Sequence, residues 1–138
     1  MVLTIGTLSN RTGVKIPTIR YYEQRGLICA AERSDGNQRR YRQEECDRLA
    51  FIKHARELGL TINAIRELLE LSSNPNKPCE RADQIATDQL RVVRDKITKL
   101  QSLEKELTRI TTKPHDGRVD DCYVIRALAS HRLCYGEH

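Results

Sequence analysis

Five cysteines and four histidines are the side chains in this 138-residue chain best suited to hold a soft ion or react as thiols. They are unevenly placed. Cys122, Cys134, His115, His131 and His138 crowd the C-terminal stretch, which runs from "TTKPHDGRVDDCYVIRALASHRLC" to the terminal "YGEH", while Cys79 stands alone after a Pro-rich segment. Thiolates and imidazoles suit zinc and softer divalent ions. Cys122 is the best loop ligand, and His115 and Asp116 lie within the same loop. A second cluster, His131, Cys134 and His138, either converges or forms a frayed tail. Cys46, on the apolar side of a helical pattern, and Cys29, beside a turn, read as small apolar residues instead. His54 reads as a surface or interface residue.

These residues need a scaffold to bring them together. Residues 79–111 form one long helical pattern without Gly or Pro, in which Cys79, Ala86, Val93, Leu100 and Leu107 recur every seven residues. Leu90 and Ile97 flank the stripe early, Leu103 and Ile110 late. So narrow an apolar stripe is unstable alone and calls for a partner helix. The simplest partner is a second copy of the chain. Before it, "SSNPNKP" reads as a linker.

The first part of the chain has a different character. Residues 1–42 hold eight Lys/Arg against three Asp/Glu, which accounts for the whole net charge of +5. Such a concentration is an electrostatic footprint for a polyanion, nucleic acid above all. In "TIGTLSNRTG", Thr4 is a fair N-cap and Gly13 a stop; in "VKIPTIRYYEQRGL", Pro17 suits a first helical turn and Gly26 an end. Two short helices joined by "TGVKI" make a helix-turn-helix. Asp35-Gly36 then marks a hairpin between extended segments, a wing. Residues 43–58 read as a helix with Cys46, Leu49, Phe51, Ile52, Ala55 and Leu58 on or beside one face. Thr61 caps another helix, "INAIRELLEL".

In the second helix, Arg20 can fork onto a guanine edge or a phosphate. Of Tyr21 and Tyr22, one is expected to pack inward and one to reach a phosphate. Thr18 lies where it can cap the helix or touch the DNA backbone. Arg39, Arg40 and Tyr41 of the wing can track a groove, with Lys15, Arg33 and Asn37 as secondary contacts. Most such contacts position a protein; few read bases.

Together "TIGTLSNRTGV", "TIRYYEQRGLI", the wing ending in "RRY" and "FIKHARELGLTINAIRELL" closely resemble the DNA-binding domain of the MerR family of transcription regulators, over residues 3–71. The resemblance implies a mainly α protein: a winged helix-turn-helix head and a long dimerisation helix forming an antiparallel coiled coil. The expected divisions are a DNA-binding domain at 1–71, a linker at 72–78, the dimerisation helix at 79–112, and an effector-binding loop, short helix and tail at 113–138. Antiparallel pairing would bring Cys79 of one chain to residues around 110–122 of the other.

The resemblance also implies function. MerR proteins sit as homodimers on promoters whose two recognition elements are too far apart, and distort the DNA so that RNA polymerase starts. Their sensors of zinc, cadmium, lead and mercury carry a cysteine where Cys79 stands; copper(I) sensors typically carry serine. Metal-sensing relatives typically carry a cysteine at each end of the loop, but here the near end reads Lys113-Pro114-His115. The expected ligands are therefore Cys79 and Cys122, with His115 or Cys134 as third.

The resulting expectation is a transcription regulator, an activator of metal resistance. Two rivals are a regulator responding to thiol oxidation, an electrophile or a small organic ligand, and a constitutive DNA-binding protein. An enzyme is not expected, since no nucleophile–base set, phosphate loop or zinc-protease motif appears. No apolar run approaches the roughly 18 residues of a membrane span, and "MVLTIGTLSNRTG" does not read as a signal peptide. A cytoplasmic protein with reduced thiols is expected.

Overall fold

The computed structural model describes residues 2–30, 32–33, 36, 39–114 and 117–130. They form two compact units, Met1–Ile85 and Ala86–His138. The first begins with a strand, β1 (Val2–Thr4), and a short helix, α1 (Ile5–Thr12). Thr4 ends the extended segment and caps the helix: its hydroxyl accepts the Thr7 N–H at 3.2 Å, satisfying one of the orphan donors of a helix start. Gly13, at φ 76°, ends α1 in the left-handed region that a side chain resists, and its N–H closes on the Ser9 carbonyl at 2.8 Å. Helix α2 (Ile16–Gln24) follows with Pro17 in its first turn, where a missing N–H costs nothing.

Strands β2 (Glu32–Arg33) and β3 (Arg39–Arg42) are the described parts of the wing. β3 is central and antiparallel to both β1 and β2, with Leu3 opposite Tyr41 and Glu32 opposite Arg40. The β1–β3 pairing ties the start of the chain to the wing. Three residues are too few to display a period of two, so the sequence carries no local sign of β1.

Helix α3 (Gln43–Glu57) buries Cys46, Leu49, Ile52 and Ala55. Phe51 and Leu58 do not join them. Phe51 is rotated off that face, and Leu58, 68% exposed, is the residue at which the helix stops before the chain turns through Gly59. Helix α4 (Ile62–Ser72) is capped by Thr61, whose hydroxyl accepts the Ala64 N–H at 3.1 Å. The core of this unit centres on Leu8, Ile19, Leu27, Ile28, Tyr41, Leu49, Ile52 and Ile65, all fully buried, and it includes Ile85.

Helix α5 (Glu80–Thr111) is continuous for 32 residues, roughly 48 Å at ~1.5 Å per residue. Its first residues, through Ile85, belong to the first unit. In the second unit Leu90, Val93, Ile97, Leu100 and Leu107 are exposed, while Ile110 is buried. A 3-10 turn (Val119–Asp121) leads to the short helix α6 (Tyr123–Ala129), whose Ala127 is buried. The short helix expected within 113–138 ends at Ala129, and residues 131–138 lie outside the described part. No helix among the described residues is long and apolar enough to cross a membrane.

Candidate functional site

The predicted DNA-facing residues separate by burial. Along α2, Ile19 and Tyr22 face the core while Arg20 and Tyr21 are exposed. The two tyrosines therefore divide as expected, Tyr22 at 7% exposure and Tyr21 at 46%, their ring centroids 5.8 Å apart. Lys15 is exposed at the N-cap position of α2, and Thr18, in its first turn, is half-buried. In β3, Arg40 is half-buried and Arg42 exposed. Arg33 and Arg39 are placed by their backbones, in β2 and β3, and Asn37 lies outside the described residues.

Tyr41 requires a correction. Its alternation along β3 turns it inward, where it is 0% exposed and its hydroxyl donates to Glu23 Oε2 at 3.3 Å. A side chain so placed holds the wing strand to the helix carrying Arg20 and is out of reach of a groove. Two arginines not anticipated from sequence secure the end of the same helix. Arg66 of α4 donates from Nη2 to the Arg25 carbonyl at 2.6 Å, and Arg48 of α3 donates to the Leu27 carbonyl. Cationic donors on the carbonyls just past a helix end satisfy orphan acceptors and complement the helix dipole. They sit far from α2 in sequence, so no local spacing could have marked them.

The thiols lie elsewhere. Cys79 is free and exposed, in the turn into α5. Its carbonyl accepts the Asp83 N–H at 3.0 Å and its thiol lies 3.9 Å from Asp83 Oδ1. It also lines an open, largely apolar pocket of about 330 Å³ with Phe51, Leu68, Leu71, Pro75 and Ala82. Two residues further on, Arg81 grips Glu67 of α4 through Nε at 2.5 Å and Nη2 at 3.0 Å. That hydrogen-bonded guanidinium holds the Glu67 carboxyl below the usual carboxylate range.

Cys122, half-buried and free, joins the 3-10 turn to α6. Its neighbour Tyr123 accepts a hydrogen bond from Arg109 Nη1 at 2.6 Å, and Arg109 is paired with Glu106. The Glu106 carboxylate, and after it the Tyr123 hydroxyl, raise the Arg109 pKa. The Lys113 ammonium lies 5.7 Å from the Tyr123 ring centroid, so the last turns of α5 and the residue after Cys122 are joined.

Cys79 and Cys122 fall in different units, and His115 and Cys134 lie outside the described residues. Among the described residues no group of three or more His, Cys, Asp or Glu is arranged to hold a metal ion. The chemistry of the two free thiols does fit a soft or borderline divalent ion.

The family model described as MerR HTH family regulatory protein matches residues 3–72, half of the chain, and the model MerR, DNA binding matches residues 46–110. The chain belongs to the MerR family. As a MerR protein it is a DNA-binding transcription regulator and not an enzyme. It is 35% identical over 128 residues to the mercuric resistance operon regulatory protein of Serratia marcescens, covering 91% of this chain and 87% of that one. It is 36% identical over 107 residues to the HTH-type transcriptional regulator ZntR of Escherichia coli, covering 77% and 76%. Among solved structures it is similar to the transcription regulator PbrR691 of Ralstonia metallidurans in complex with lead(II), with a TM-score of 0.78, 30% identity, and 91% of this chain and 98% of the other covered.

Proposed function

We propose that this MerR protein is a homodimeric activator of a metal-resistance promoter, with a divalent soft ion, zinc, cadmium, lead or mercury, as its effector. The observation that carries the reading is Cys79, a free, exposed thiol at the entry to the long helix, in a chain similar to a mercuric resistance regulator and a lead(II)-bound regulator. In an antiparallel pair of α5 helices, Cys79 of one chain meets the loop of the other. Cys79 and the partner's Cys122 are then the core ligands, with His115 or Cys134 as third. The working division is a head at 1–71, a linker at 72–78, the dimer helix at 79–112 and the effector loop and tail at 113–138. RNA polymerase is the further partner, and the cytoplasm, with its reduced thiols, the setting.

The DNA contacts we assign are Arg20 to a base edge or phosphate, Tyr21 to a phosphate, and Lys15, Thr18, Arg33, Asn37, Arg39 and Arg40 to backbone and groove. Such contacts anchor two heads on near-palindromic half-sites. Deforming the duplex between them costs on the order of 1–6 kcal/mol. An ion that bridges two chains supplies this only if it binds one dimer geometry better than the other, since equal binding shifts nothing.

The test is titration of the protein with zinc(II), cadmium(II), lead(II) and mercury(II), singly, alongside transcription from the operator-bearing promoter. One ion per chain should bind tightly. Cys79→Ser and Cys122→Ser should each abolish metal-induced transcription while operator binding persists. Induction retained in both variants defeats the proposal.

A further inference from the structure

The sequence places a linker, residues 72–78, between the DNA-binding head and the helix that follows Cys79. The packing removes the independence such a linker would confer. Ile85, six residues after Cys79, is buried in the same core as Ile65 and Leu69 of α4 and Ile19 and Tyr22 of α2. Between them, Arg81 and Glu67 make a two-point guanidinium–carboxylate contact joining α5 to α4, the geometry that adds direction as well as attraction. The preceding residue of α4, Arg66, holds the carbonyl of Arg25 at the end of α2. Two polar links therefore run from the first turn of α5 through α4 to the helix bearing Arg20. All of these groups belong to one compact unit, which extends to Ile85.

We infer that Glu67 and Arg81 are positioning residues that mount Cys79 on the DNA-binding head, so that an ion captured at Cys79 acts on the recognition helix through α4 and not through the 72–78 linker. The inference rests on the metal-responsive reading of Cys79. Neither residue is a ligand in it: Arg81 is cationic, and Glu67 is occupied by Arg81. Their side chains are 51% and 41% exposed, so the pair tunes the response and does not hold the fold together. A pair of this exposure is worth the equivalent of about a two- to fivefold change in an equilibrium.

The experiment compares the full-length wild type with Arg81→Met, Glu67→Gln, and the charge-swapped double variant Glu67→Arg with Arg81→Glu. Three quantities are read for each: affinity for the same four ions, affinity of the metal-free protein for DNA selected by the wild type from a random pool, and the metal-induced distortion of that DNA reported by a fluorescent base at its centre. Both single variants should keep metal affinity and metal-free DNA affinity within about twofold while the induced distortion falls about two- to fivefold. The charge swap should recover it. Unchanged distortion in Arg81→Met overturns the inference, as does a parallel loss of metal affinity, which would put the pair in the ligand site. A swap that fails to recover the response also overturns it. Absence of metal binding or metal-induced distortion in the wild type is a different failure, that of the functional reading beneath it.

Discussion

The unit ending at Ile85 and the unit beginning at Ala86 solve the burial problem in opposite ways. The first folds short helices and a three-stranded sheet around side chains such as Leu8, Ile19, Leu49 and Ile65, which lose all contact with solvent. The second lays Leu90, Val93, Ile97, Leu100 and Leu107 along a helix and leaves them exposed, burying Ile110 and Ala127 near its far end. A head with its own core can fold and hold a DNA-facing surface in a single chain. A helix with an uncovered apolar stripe asks for a second surface. The contrast is the one expected if, as proposed, recognition belongs to each chain and response to a pair of chains.

The largest effect should come from charging the stripe. Each apolar side chain removed from water contributes about 1.5–3 kcal/mol, and a two-fold pair counts every position twice. Ile97→Glu with Leu100→Glu should therefore raise the dimer dissociation constant by at least about 100-fold in sedimentation experiments, while the head keeps its thermal transition. Retained dimers would mean that the stripe does not form the interface. Next in size is Leu49→Ala. Removing a fully buried leucine costs about 2–5 kcal/mol and should lower the melting temperature of the head, leaving helicity of the 86–111 segment in place by hydrogen exchange. Simultaneous loss of both would end the description of two separable units.

The smallest effect is one of pH. The Arg81 contact lowers the Glu67 pKa in the folded chain from its ordinary value of 4.5. A carboxyl with a depressed folded pKa contributes stability above its unfolded value and loses it as pH falls through the folded one. Denaturation between pH 6 and 3 should therefore show a slightly steeper acid loss for wild type than for Glu67→Gln, and solvent exposure keeps the difference small. Identical profiles would mean that the pair does not persist in solution.

Much of the head was legible in the residues because its signals are local. Thr4 and Gly13, Pro17, and Thr61 mark helix boundaries through backbone chemistry that acts within four residues, and each stands where the spacing places it. The length of α5 was legible for the same reason, since no Gly or Pro interrupts it. Strand β1 was not, because what makes it a strand is pairing with residues almost forty positions away. Nor was the fate of Tyr41. A tyrosine next to two arginines reads as part of a basic surface, and only the pleat of β3 against α2 turns it to Glu23.

The thiols show the same division. Residue type and position identified Cys79 and Cys122 as the candidate ligands, and the charge of residues 1–42 identified the end of the chain that meets a polyanion. Sequence by itself thus determined the helices and the chemical character of each end, because caps, periodicity and charge are short-range properties, while the family came from the resemblance of its four motifs in order. Tertiary structure alone decided which groups support that chemistry. Glu67 meets Arg81, Arg66 meets Arg25, and Arg109 meets Tyr123 across separations that no repeat or motif encodes. Such contacts arise only when packed helices bring distant side chains to hydrogen-bonding distance, and in the first unit those of Glu67 and Arg66 tie the start of α5 to α4 and α4 to the end of α2.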